Sequence, residues 1–128
     1  MTNSLATRIA ALMGCLAVAL GAFGAHGLKD VLAKNQTAAI WEKAVFYHFI
    51  HALVILLVSM LPRTGTFPIN GSSSVCWLLA AGVLIFSGSL YTLALTGARS
   101  LGAITPVGGV CLIAAWLLLA YYFIAQRA

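Results

Sequence analysis

Apolar residues run in four long blocks along the chain, roughly Ile9–Ala25, Ala44–Leu61, Val75–Leu95 and Ala103–Ala125, with hardly a charge inside them. A block of about 20 apolar residues matches the ~30 Å hydrocarbon core of a bilayer. Lipid offers the backbone no hydrogen-bond partner, so each block must be a helix that satisfies its own amides. The pattern predicts an all-α, polytopic membrane protein: a bundle of four transmembrane helices in one domain over residues 1–128.

The segments between the blocks sharpen this outline. Residues 28–43 form the longest polar connection and hold Lys29, Asp30, Lys34, Glu42 and Lys43. Leu28, Val31 and Leu32 recur there at helical spacing, continued by Ala39 and Ile40, which predicts a short amphipathic segment lying in the interface between the first and second spans. Trp41 and Tyr47 fall where an aromatic belt would anchor the second span. Pro62 closes that span, and the Gly/Thr/Ser-rich stretch 62–74 reads as a surface loop. The third and fourth spans are joined by the five-residue turn Gly97–Leu101, so they should form an antiparallel hairpin.

Composition excludes several classes. The chain is 62% hydrophobic and 7% charged over 128 residues, too apolar for a soluble domain of this size to bury. The net charge of +5 arises from seven basic residues against Asp30 and Glu42. Those basic residues are scattered singly through loops and ends, which suits lipid headgroups and topology control rather than nucleic acid.

The first block needs a separate decision. Arg8, the apolar run and Gly21–Ala25 imitate a secretory signal peptide, and Leu12-Met13-Gly14-Cys15 imitates a lipoprotein cleavage box. The apolar run between Arg8 and Cys15 is too short for a signal core, so the segment is expected to remain as the first helix. Cys15, Cys76 and Cys111 show no metal-ligand spacing and are expected to be buried small side chains.

The up-and-down order of four spans brings particular polar residues to one membrane side. That side receives His26, Lys29, Glu42, Tyr47, His48, His51, Tyr91, Arg99 and Thr105, including all three histidines. His48 and His51, three apart, share one helix face, with His51 deeper. An ionisable group inside the membrane should face the bundle interior with a named partner. Tyr91, with Ser87 or Ser89, is the expected partner of His51.

Two readings of these histidines stand side by side. In one they are neutral and tie helices together through Tyr91, Thr105 or backbone carbonyls. In the other, His26, His48, His51, Tyr91 and Thr105 line a site for a lipid headgroup, a quinone, a haem or a metal. The His-x-x-His spacing lacks the glutamate of zinc peptidases. Two imidazoles on facing helices could ligate haem. Asp30 and Glu42 lie in the interfacial connection, which leaves no carboxylate pair for acid–base hydrolysis. The residues therefore name no cofactor and no catalytic group. Gly21, Gly24, Gly88, Gly108 and Gly109 are the expected helix-packing positions, since small residues let membrane helices approach closely.

Taken in order, several blocks resemble a known family. They are Gly21-Ala22-Phe23-Gly24-Ala25-His26-Gly27, Lys43-Ala44 with Tyr47-His48-Phe49-Ile50-His51-Ala52-Leu53, Phe86-Ser87-Gly88-Ser89-Leu90-Tyr91, Leu95-Thr96-Gly97, and Thr105-Pro106-Val107-Gly108-Gly109 with Trp116. The chain resembles the domain-of-unknown-function 423 family, whose eukaryotic relatives are called transmembrane protein 256. The resemblance implies a four-helix membrane protein and carries no established reaction.

The expected function is that of a small, non-enzymatic integral membrane protein, an accessory or assembly subunit packed against a larger membrane complex. The alternative is a ligand-binding protein or an oligomeric small-molecule carrier that uses the histidine face. Expected partners are membrane lipids and a larger membrane complex or further copies of the chain. The expected location is the bacterial inner membrane. Basic residues divide almost evenly between the two sides, and the small bias puts both termini in the cytoplasm.

Overall fold

The computed structural model describes residues 1–65 and 67–125. Five α-helices follow in order: α1 (Asn3–Ala25), α2 (Lys29–Asn35), α3 (Ala38–Met60), α4 (Ile69–Thr96) and α5 (Thr105–Ala125). Short 3-10 turns, Leu61–Thr64 and Arg99–Ala103, flank α4, and the described residues contain no strand. All but α2 belong to segments long and apolar enough to cross a membrane.

The helix ends follow from local chemistry. Thr2 caps α1, its hydroxyl accepting from the Leu5 amide at 3.4 Å. Gln36 takes a left-handed conformation (φ 55°) and stops α2. Gly97, with φ 72°, ends α4 and returns its N–H to the Leu93 carbonyl; a residue without Cβ adopts that conformation at little cost. Proline early in a helix loses no hydrogen bond, and Pro106 stands in the first turn of α5.

Neighbouring spans pack in series, α1 on α3, α3 on α4 and α4 on α5, while the backbones of α1 and α5 stay apart. The apolar core lies in two parts. One joins Ala6 and Ala10 of α1, Ile55 and Val58 of α3, Leu79 and Val83 of α4, and Leu112 of α5. The other gathers Leu32, Trp41 and Ala94 where α2 meets the spans.

Four expectations are corrected here. Residues 62–74 are not one loop, because α4 begins at Ile69. Ser72 is buried and donates to the Val58 carbonyl at 2.8 Å, and a Cβ on Gly71 would stand 3.0 Å from the Tyr122 ring. Serine and glycine, which mark loops in water, serve here as close-contact residues between helices. Trp41 is no headgroup anchor: it is 3% exposed, and its indole N–H donates to the Leu20 carbonyl at 2.9 Å. Of the cysteines only Cys76 is buried; Cys15 is exposed and Cys111 half-buried. A thiol is apolar enough to face lipid, so burial was not required of it. The turn between the last two spans is also longer than five residues, since α5 starts only at Thr105.

Candidate functional site

His48 and His51 share a side of α3 but do not share surroundings. Three residues turn a helix about 300°, so their directions differ by about 60°. That divergence sends His51 toward α5 and His48 toward Tyr91 on α4. Both are buried, at 5% exposed for His48 and 6% for His51.

His51 is fully engaged. Its Nδ1 lies 2.8 Å from the Tyr47 carbonyl oxygen, and its Nε2 lies 3.3 Å from Nε1 of Trp116 on α5. An indole nitrogen can only donate, so Nε2 must hold a lone pair and Nδ1 the hydrogen. The two partners thus assign a neutral ring with one tautomer. The Tyr47 ring stacks on the imidazole with centroids 5.8 Å apart, and it also meets the rings of Phe86 at 4.6 Å and Phe46 at 6.0 Å. Tyr91, expected beside His51, is not its partner.

His48 takes Tyr91 instead. Its Nδ1 is 3.1 Å from the Tyr91 hydroxyl. The Tyr91 ring lies 4.8 Å from the ring of Trp41, which in turn holds the Leu20 carbonyl of α1. One continuous set of contacts therefore links α1, α3 and α4. His48 Nε2 has no hydrogen-bond partner among the described residues.

The serines expected near His51 are occupied elsewhere. Ser87 donates to the Ala44 carbonyl at 2.9 Å, tying α4 to α3. Ser89 donates to the Phe86 carbonyl at 2.9 Å and sits 2.8 Å from the hydroxyl of Thr105, which is half-buried at the start of α5. His26 is exposed at the end of α1 and does not join the other two histidines. Among the described residues, no group of three or more His, Cys, Asp or Glu side chains could hold a metal ion.

The packing glycines divide in the same way. Gly24 lies against the Trp41 ring, and a Cβ on Gly108 would run into the backbone of Phe86. A Cβ on Gly21 would stand 3.4 Å from Val45, and one on Gly109 would stand 3.8 Å from the Phe86 ring. Gly88 does not pack closely: a Cβ there would meet nothing within 4 Å. It opens instead on a cleft of about 310 Å³ between α1 and α4, which His48 and Tyr91 also line.

Three contributors were not singled out from the sequence as site residues. Trp116 is the donor to His51, and a tryptophan in mid-span with an N–H to satisfy was the available signal. Asn35 donates to the carbonyls of Ala94 (3.2 Å) and Leu95 (3.0 Å), and Thr37 donates to Ala94 at 2.7 Å. The last carbonyls of any helix lack partners within it, so α2 and its exit cap the end of α4. No local pattern around Asn35 announces that role.

These features define a small helical integral membrane protein with four spans, whose buried polar side chains join neighbouring helices. The chain belongs to the family described as "Protein of unknown function (DUF423)", which matches residues 20–109. It is 48% identical to a UPF0382 membrane protein of Staphylococcus epidermidis over 87% of this chain and 88% of that one. It is 42% identical to the UPF0382 membrane protein YwdK of Bacillus subtilis, over 87% of this chain and 89% of YwdK. No solved structure matches it.

Proposed function

We propose that the protein is a non-enzymatic accessory subunit that seats a transmembrane helix of a larger membrane complex against its α1–α3 flank. The supporting observation is a trough of about 650 Å³ on that flank. Ala17, Gly21, Ala22 and Ala25 of α1 line it with small side chains, and Phe46 and Phe49 of α3 stand beside them. Membrane helices associate by close packing rather than by hydrophobicity, and small residues permit that approach. The buried hydroxyls and the buried Trp41 indole are already engaged in holding the bundle together, which suits a scaffold.

A photoreactive amino acid at Ala22, activated in intact membranes, tests this. The expected result is a discrete adduct with another membrane protein, absent when the reactive group is moved to Leu117 on α5 and lost on Gly21→Leu. Lipid adducts alone at both positions would overturn the proposal. The same reading takes the protein to the bacterial inner membrane with both termini in the cytoplasm, supported by the small bias of basic residues. Reporter fusions at Met1 and Ala128 that both report the outer side would reverse the orientation.

A further inference from the structure

We propose that the cleft between α1 and α4 is a binding site for a lipid-soluble carbonyl compound whose oxygen accepts a hydrogen bond from His48 Nε2. The cleft measures about 310 Å³, and apart from His48, Ser87 and Tyr91 its walls are apolar or glycine. Small-molecule sites have this character, a mostly apolar cleft of a few hundred Å³ with a few placed polar groups. Ser87 is spent on the Ala44 carbonyl, which leaves the His48–Tyr91 pair.

The hydrogen count decides what that pair offers. Tyr91 hydroxyl has His48 Nδ1 as its one hydrogen-bond partner among the described residues. If Tyr91 donates to Nδ1, the ring's hydrogen sits on Nε2 and one group is unmet, an Nε2–H donor. If Nδ1 donates instead, the hydroxyl hydrogen and the Nε2 lone pair both go unmet. The first arrangement leaves fewer polar groups unpaired and is therefore the stable one. No sealed side-chain nitrogen lacks a partner among the described residues. Nε2, which has none, must therefore reach the accessible surface, and the cleft is the surface that His48 lines.

The surroundings then select the class of ligand. His48 bonds Tyr91, which stands about 7.5 Å inside the Thr96 end of α4, so the pair lies in the outer part of the apolar core and not at its centre. The cleft around the pair is almost wholly apolar, so an unpaired N–H there calls for an acceptor carried on an apolar body. A carbonyl on an apolar body meets both demands. A quinone ring and the acyl ester of a lipid can each carry one to this outer part of the ~30 Å core, and separate probes distinguish them.

The full-length protein in lipid nanodiscs, with 15N-labelled histidine, provides the test. Three probes are titrated: a decyl-substituted naphthoquinone, a diacylglycerol, and dodecylbenzene as a carbonyl-free control. The ligand-free protein should show His48 as the Nε2–H tautomer. The quinone should bind saturably and shift that nitrogen signal; a shift from diacylglycerol alone would support the carbonyl site with an acyl ester as the ligand. His48→Phe should weaken binding at least tenfold. Gly88→Leu should fill the cleft and abolish binding while leaving the His48 tautomer signal in place, since its Cβ meets no neighbour. Dodecylbenzene binding as tightly as the quinone, an Nδ1–H tautomer, or no saturable binding of any probe would each overturn the proposal.

Discussion

The two flanks of α4 are built oppositely. On the α5 side everything is closed: Gly108 lies against the Phe86 backbone, and His51 has a partner on each ring nitrogen. On the α1 side Gly88 faces open space and His48 has a partner on one nitrogen only. Two histidines three residues apart on one helix thus do different work. The closed one is a bolt, because any ligand at either nitrogen of His51 must first displace Trp116 or the Tyr47 carbonyl. The open one retains hydrogen-bonding capacity in a bundle where the other buried polar groups are consumed.

Substitution can break this contrast, and the largest effect should come from the closed side. Gly108→Leu forces a side chain into the Phe86 backbone and should separate α4 from α5, with a loss of several kcal/mol typical of severe overpacking. Thermal unfolding in detergent, read by tryptophan fluorescence, should show the variant unfolded or melting far below the parent.

His51→Leu should come next. It leaves the N–H of Trp116, a half-exposed side chain on a lipid-facing part of α5, without an acceptor, and an unpaired donor away from water costs about 1–3 kcal/mol. His51→Gln should be milder, because an amide oxygen can replace the lost acceptor. The double variant His51→Leu with Trp116→Phe should lose less than the sum of its parts, since it removes both partners at once. Equal melting temperatures for the Leu and Gln variants would show that the bond to Trp116 contributes nothing.

His48→Phe should cost less, about 1 kcal/mol, because the Tyr91 hydroxyl loses its acceptor beside a cleft into which it can turn. Smallest of all should be Gly88→Ala, neutral or stabilising by about 0.5–1 kcal/mol through helix propensity in a position with free space. A marked destabilisation by Gly88→Ala would mean that the α1 side is as closed as the α5 side.

Much of the site was visible before its geometry. Counting spans put the three histidines on one side and Tyr91 at a comparable depth, and the sequence reading paired Tyr91 with His51, whereas the structure pairs it with His48. The choice of histidine was the error. His48 and His51 are equivalent at the level of spacing, and the choice between Tyr91 and Trp116 depends on where α4 and α5 sit around α3. The serines failed for the same reason: Ser87 and Ser89 can each satisfy a carbonyl within reach, and such local or cross-helix bonds leave no periodic trace in sequence.

What the sequence determined by itself is the set of four spans and the interfacial helix, because hydrocarbon forces every spanning segment to close its own backbone hydrogen bonds and so makes length and apolarity decisive. The tertiary structure alone decided that Ser72 and Gly71 belong to a helix contact, that Trp41 turns inward, and that His48 retains a nitrogen that His51 does not. Those outcomes depend on helix rotation and separation, to which hydrophobic pattern is nearly blind in a membrane, since lipid and protein interior are equally apolar.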